Sequence, residues 1–573
     1  MKKIIGILIG SALIQLFSLI SCTDVFEKNN LVVLGGDNVW TSETMTAAYL
    51  NNIYSSFMGS WPYNGSSSDE GTDASIGMNA FLRGIATIDA WNGYGYGNID
   101  RINLFLSKID GTPYTPEKIK QFKGEALFFR AWAYFGMVNG YGGVPLILDV
   151  QDYKNPEGLF VKRNKTSECI TQIVKDLDDA ASMLPDAFSG TDYGRIDKGI
   201  ALAFKGKVLL TYASPLFNPS NNAARWQTAY TATKAAKDFL ETQGKGLFPS
   251  FKDIWYTERN KEVVMVSQFY APDRYYSNAP IRPIFITKDA WGANEPTLFL
   301  VNSFPMKDGS AFDPARPLAY DTLFKYRDDR FYATIAFNGG VYNTPDFKPG
   351  EKIWTGFTSD GTDLQRYIHL IAGPSRTGFF QIKGIDTKNN QQGVHNSTVD
   401  WIQIRFAEVL MNYGEAANET GKTAEALSVL YSIRQRAGIL PGVAGKYGIT
   451  ASTVSEIREV YIKERFVEFA FEGKRWEDLR RWRRFDILNS QKTRKAVLMY
   501  LKPSAQIPLI TDNIYDSAIW SRFTPKIVEN IENPYTFNLL DKYYFYAIPK
   551  GHLDRNVNLE QNKDWGGTFD PLL

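Results

Sequence analysis

The chain has 573 residues, a formal net charge of +2 and 22% charged residues. It is long enough to bury a self-sustaining core without metals or disulfides, and it carries no basic excess to attract nucleic acid or anionic lipid over a wide area. Aromatic residues reach 14%, with 13 Trp and 31 Tyr, a surplus that suits recognition surfaces as well as cores because these rings join an apolar face to a polar edge.

The first segment with chemical meaning is the N-terminus. Lys2 and Lys3 precede an apolar run from residue 4 to residue 20, interrupted by Ser11, Gln15 and Ser18, and Leu19-Ile20-Ser21-Cys22 follows at once. The run is too short and too broken for a membrane span of about 20 apolar residues. The pattern reads as a signal peptide over residues 1–21 ending in a lipobox, whose Cys22 thiol is acylated with palmitate-class chains to give an anchor. Only Cys169 then remains in the mature chain, so no internal disulfide is available, and its apolar neighbours Ile170 and Ile173 predict a buried, inert thiol.

After a polar tether to about residue 40, helical periodicity appears over residues 43–57. The Gly-, Ser- and Asp-rich stretch 61–73 reads as an exposed loop, and a second helix is expected over 98–109. Thr115 and Pro116 mark the cap and first position of a third helix, with Ile119, Phe122, Ala126, Phe129, Ala133 and Met137 at steps of three and four and a Gly/Pro stop after residue 139. Helices are further expected over 166–184 and 198–213.

Between about 240 and 400 the period is lost, and short strands such as 262–269 are expected in a loop-rich segment of functional character. Helical periodicity resumes at Asp400. One helix carries Phe406, Leu410, Tyr413 and Ala417, a turn follows at Gly421-Lys422, and Thr423 caps a second helix to Ala437, together a hairpin of tetratricopeptide-like size. A capping box from Thr453 to Glu456 opens a third.

Read as text, these helices carry EALFFRAWAYF at 125–135 followed by YGGVPLI at 141–147. KDLDDA stands at 175–180, GRIDKGIALA at 194–203, IRFAEVLMNYGEA at 404–416, IRQRAG at 433–438, FEGKRWEDLRRW at 471–482, AIPK at 547–550 and NLEQNKDW at 558–565. In this order the blocks resemble the SusD/RagB family of outer-membrane lipoproteins from Bacteroidetes. The resemblance implies a mainly α fold, a right-handed stack of tetratricopeptide-like helical pairs with long loop-rich insertions and a few short strands. An N-terminal region over 22–240 and a C-terminal region over 241–573 would share that scaffold. It also implies a surface-facing, outer-membrane protein that captures glycan and passes it to a SusC-like TonB-dependent transporter. Peptide or another nutrient is the alternative cargo. The charged residues Glu125, Arg130, Arg405, Glu408, Glu415, Arg434, Arg436, Glu464, Arg465 and Arg475 lie on helices that pack together, so they are expected to form pairs that set helix register.

Sugar recognition needs flat aromatic faces together with planar amides, carboxylates or Arg. The early segment offers Trp61, Tyr63, Asn64, Asp69 and Glu70, then Arg83, then Trp91, Asn92, Tyr94, Tyr96 and Asn98 spaced by glycines. On the resemblance, the ligand-binding role is carried to Asp69, Arg83, Trp91, Tyr96 and Asn98. Trp61 joins them from the first loop, and Tyr275, Tyr276, Asn278 and Trp291 are middle-segment candidates.

Enzyme signatures are poor. Gly93-x-Gly-x-Gly lacks dinucleotide spacing, Ala416 stands where a P-loop before Gly421-Lys422-Thr423 needs Gly, and three scattered His supply no zinc motif. No cofactor is called for, although an oxygen-ligand calcium site stays open as a structural element. The rival reading is a helical glycosidase with paired carboxylates, since cleavage and binding of sugar use similar platforms. The basic run at 480–484 is flanked by acids and belongs to an exported chain, so no nucleic-acid partner is expected.

Overall fold

The computed structural model describes residues 38–62, 65–73, 77–283, 290, 292–315, 323–342, 347–368, 374–385 and 395–573. Cys22, the tether to residue 37, Tyr63, Asn64 and Trp291 lie outside the described residues.

The chain is mainly helical. Helix α1 (Glu43–Phe57) is capped by Ser42, which accepts from the Met45 amide, and α2 (Gly97–Ile109) follows the glycine-spaced aromatic segment. In α3 (Pro116–Tyr141) Thr115 accepts from Lys118 N and Pro116 takes the first turn, as its sequence predicts, and Gly142 ends the helix at φ 78°. Helices α4 (Thr166–Met183) and α5 (Lys198–Ala213) match expectation, the latter capped by Asp197. Helix α6 (Ala223–Thr242) was not anticipated, although Asn222 caps it and Trp226, Ala229, Tyr230, Thr233, Ala236 and Leu240 share its buried face at helical spacing.

The second half adds α7 (Phe406–Glu419), α8 (Thr423–Arg436), α9 (Val454–Glu468) and α10 (Arg475–Arg481). Thr453 and Glu456 close the expected capping box of α9 reciprocally. Thr423 turns out to be the first helical residue of α8, with Lys422 at the cap position and no side-chain cap. Sequence-adjacent helices pack as pairs, α3 on α4 and α5 on α6. Helix α7 lies against α5, α6, α8 and α9. One continuous apolar cluster joins these helices to Phe537–Ile548 near the C-terminus.

Residues 400–405 correct the reading that helix begins at Asp400. Trp401–Arg405 is a strand, pairing antiparallel with Val263–Ser267 from Val263↔Arg405 to Ser267↔Trp401, with an irregularity at Met265. Trp401 and the β-branched Ile402 and Ile404, buried on both faces of the strand, favour extension here over a first helical turn. The stretch 61–73 is also corrected: Gly65 and residues 68–73 are buried, and Gly71–Thr72 forms a two-residue strand against Glu295–Pro296.

The charged side chains of the family-like blocks are tied together inside the scaffold. Glu125 pairs with Arg195 at 2.7 Å, Arg130 with Asp176 at 2.8 Å, and Arg465 with Asp478 at 2.8 Å. Arg405 reaches Glu262, Glu468 and Glu472 at 2.7, 2.6 and 2.9 Å. Such buried pairs return little net stability against desolvation, but a mispaired register would strand their charges, so they specify how the helices dock. Cys169 is buried as expected, its Sγ facing the Val144 backbone, and burial pushes the thiol up to about 11.

Candidate functional site

The sequence-derived candidates do not gather into one site. Trp61 is 3% exposed, packed edge-on against Trp255 at 4.5 Å and Trp401 at 4.9 Å, and a Cβ at Gly384 would come within 2.3 Å of its ring. Its faces are consumed by core packing, which removes it as a sugar platform. Asp69 is fully buried and receives Arg475 Nε at 2.9 Å, Arg475 Nη2 at 2.8 Å and Gln491 Nε2 at 3.1 Å, which leaves it no side open to ligand. Its neighbour Glu70 is buried too, accepting from Phe471 N at 2.9 Å, and burial pushes its carboxyl up to about 7.

Arg83 is half-buried with its guanidinium 3.8 Å above the ring of Tyr535. Tyr96 donates its hydroxyl to Pro145 O at 2.7 Å, Tyr94 is buried against Tyr141, and Asn98 accepts from Arg101 in the first turn of α2. Asn92 is exposed, 3.3 Å from His552 Nε2. In the middle segment Tyr276 pairs its backbone with Ser397 and packs its ring on Phe269 at 4.6 Å. Asn278 is buried and Tyr275 is exposed.

Trp91 has a different setting. Its ring lies 4.3 Å from Tyr546 and 4.8 Å from Tyr141, and Gly93 and Gly140 let backbone approach so closely that a Cβ at either would come within 2.4 Å of it. Held in this way and half-buried, it lines a cavity of about 460 Å³. Helix geometry supplies the other walls. Trp132, Phe135, Gly136 and Asn139 recur on one face of α3 at steps of three and four, and Phe204, Lys207 and Thr211 do so on α5. Trp401 and Gln403 enter from the strand, Glu408 and Asn412 from α7, and Lys474, Glu477 and Asp478 from the start of α10.

Aromatic rings, the three planar amides of Asn139, Gln403 and Asn412, and fixed charges thus face one space, a size and mixture typical of a small-ligand site. Trp132, Asn139, Gln403 and Glu408 were missed as lining residues. The seven-residue spacing of Trp132 and Asn139 within a helix was the available signal.

The charges in the cavity are already balanced. Glu408 lies 3.1 Å from Lys207 and 2.8 Å from Lys474. Burial alone would raise its pKa, but the two ammonium groups outweigh that and hold it well below the usual carboxylate range. Burial is likewise outweighed at Glu472 by Arg405 and Lys383, and at Asp478 by Arg465 and Arg481. These three carboxylates are kept ionised, whereas glycoside cleavage needs one carboxyl held protonated as the acid. The carboxyls pushed upward by burial, Glu70, Asp197, Glu295, Asp328 and Asp400, do not line this cavity. Among the described residues no group of three or more His, Cys, Asp or Glu is gathered to hold a metal ion, and no helix is long and apolar enough to cross a membrane.

Residues 254–565, more than half of the chain, match the model of the SusD family, and residues 29–210 match a model described as starch-binding associating with outer membrane. A SusD-like protein, P2, from Formosa agariphila is 24% identical over 496 residues, 82% of this chain and 89% of the relative. A SusD-like protein of Bacteroides fragilis superposes with TM-score 0.73 at 24% identity, covering 92% of this chain and 98% of its own. A SusD-like carbohydrate-binding protein from the same organism gives TM-score 0.70 at 22% identity, over 91% and 99%. The ordered helical blocks, the paired-helix scaffold and the match across 254–565 make one case: this chain belongs to the SusD family.

Proposed function

We propose that the protein is a lipid-anchored, outward-facing component of the outer membrane that holds glycan reversibly and delivers it to a SusC-like TonB-dependent transporter. The observation that carries this reading is the cavity at Trp91, where aromatic faces stand beside the amides of Asn139 and Gln403. Sugar rings present an apolar face and paired hydroxyls, and those two kinds of group match them. The starch-binding description of the model over residues 29–210 supports the same cargo class and the same membrane. Binding rather than cleavage is favoured because Glu408, Glu472 and Asp478 are all held ionised by cations.

Affinity electrophoresis through gels containing neutral polysaccharide tests the reading. The wild-type protein is expected to be retarded by at least one glycan, Trp91→Ala to lose roughly ten-fold or more of that affinity, and no new reducing ends to appear. Equal retardation of both proteins, or release of reducing ends, would overturn it. For the anchor, Cys22→Ser is expected to move the protein from the detergent-extracted membrane fraction to the soluble fraction. Unchanged fractionation would remove the lipid from the proposal.

A further inference from the structure

A second and larger cleft lies in the loop-rich half, away from Trp91. Its volume is about 1020 Å³, and its lining includes Lys252, Lys307, Lys325, Lys352, Arg327 and Arg436 against one acid, Asp329. Some of that charge is already matched. Lys307 pairs with Asp329 at 2.6 Å, and Arg436 with Glu262 at 2.9 Å. Lys252 is exposed, Lys325 is half-buried, and among the described residues neither has a carboxylate within ion-pair distance. Arg327 is 1% exposed and spends its guanidinium on the carbonyls of Leu323, Val301 and Phe304, with Nε left over, so its positive charge also has no carboxylate bridge among the described residues.

Rings accompany this unbalanced charge. Tyr326 is 65% exposed and holds φ 59°, a left-handed backbone that a bulky aromatic rarely adopts, and it is fixed there by Lys307 N donating to Tyr326 O at 2.6 Å. Lys325 Nζ lies 5.0 Å from the Tyr326 centroid and 6.0 Å from that of Tyr515. Tyr332 lines the same space and anchors its hydroxyl on Phe324 O at 2.7 Å. The pattern is aromatic platforms flanked by two lysines, Lys252 and Lys325, that have no anion of their own among the described residues.

We infer that this cleft is a second carbohydrate site, selective for saccharides bearing an anionic substituent, uronate or sulfate, with Tyr326 and Tyr515 against the sugar faces and Lys252 and Lys325 against the charge. A purely electrostatic patch would not need an aromatic ring held outward at positive φ. A neutral-sugar site would not need unmatched lysines in a chain whose net charge is only +2. The inference rests on the glycan-binding reading above, and its test separates the two.

The experiment is calorimetric titration of the full mature chain with an oligogalacturonate, its carboxyl-reduced neutral counterpart, a sulfated oligosaccharide, and poly-glutamate of matched charge. Variants are Lys252→Met/Lys325→Met, Tyr326→Ala and Trp91→Ala, each first checked for an unchanged thermal midpoint. At least one anionic saccharide is expected to bind roughly ten-fold more tightly than the neutral counterpart, and to weaken as salt rises. The lysine pair and Tyr326→Ala should each cost a comparable factor, and Trp91→Ala should leave this binding unchanged. The inference is overturned if neither anionic saccharide binds, if the lysine pair changes nothing, or if poly-glutamate binds as tightly. Neutral glycan captured through Trp91 with no binding in this cleft would sink only this inference, while loss of all glycan binding would sink both.

Discussion

The cavity at Trp91 and the cleft at Tyr326 are built on opposite electrostatic plans. In the first, the ionised groups that line the space are matched inside the protein, Glu408 by two lysines and Asp478 by two arginines, so an entering ligand meets oriented dipoles and rings without net charge. In the second, Lys252 and Lys325 stand without carboxylates among the described residues, and Arg327 gives its hydrogen bonds to carbonyls. The first sits where helices pack and register is fixed. The second sits in the loop-rich half, where an exposed charge such as that of Lys252 can be left unmatched at little structural cost because water screens it. Charge pairing is therefore a property of the scaffold, and charge imbalance is informative where it occurs outside it.

Substitutions can break this contrast. The largest effect is expected from Arg405→Met, which removes the cation shared by the buried Glu262, Glu468 and Glu472, leaves them only Arg436, Arg330 and Lys383, and should cost roughly 3–5 kcal/mol in denaturant unfolding. A loss below about 1 kcal/mol would mean that the cluster does not organise the scaffold. A smaller, pH-dependent effect is expected at Glu295, whose carboxyl burial pushes up to about 8 from an ordinary 4.5. The folded state keeps the proton between those values while the unfolded state loses it, so this group's contribution falls as pH rises through that window. Glu295→Gln cannot ionise, and thermal melts should show it gaining on the wild type by roughly 3–4 kcal/mol between pH 5 and pH 8. A constant gap would refute the assignment. The smallest change is expected from Tyr326→Asn. Asn tolerates positive φ and the ring is mostly exposed, so the thermal midpoint should stay within about 1 °C while the cleft's affinity falls.

How far the sequence could be read follows the same division. Helices with explicit caps and stops, such as Thr115-Pro116 before α3 and Thr453 to Glu456 before α9, were legible because local chemistry fixes their ends. Helix α6 escaped because Ala229, Thr233 and Ala236 leave its buried face only weakly apolar, and Trp401–Arg405 reads as helix in the sequence because its strand partner lies some 140 positions earlier. The site was less legible still. Asp69 resembles a loop carboxylate in sequence, and only the fold reveals that Arg475, 406 positions away, closes on it. Trp61 and Trp91 are equivalent as text, yet one is enclosed by Trp255 and Trp401 and the other lines a cavity. Residue type announces what a ring could do, and tertiary packing decides whether a face is left to do it.

The most direct test is a structure of the mature protein with a neutral oligosaccharide that retards it in gels. The account predicts an uncleaved sugar ring in van der Waals contact with Trp91, its hydroxyls bonded to Asn139 or Gln403. Sugar bound elsewhere with that cavity unoccupied, or a hydrolysed product within it, would contradict the account.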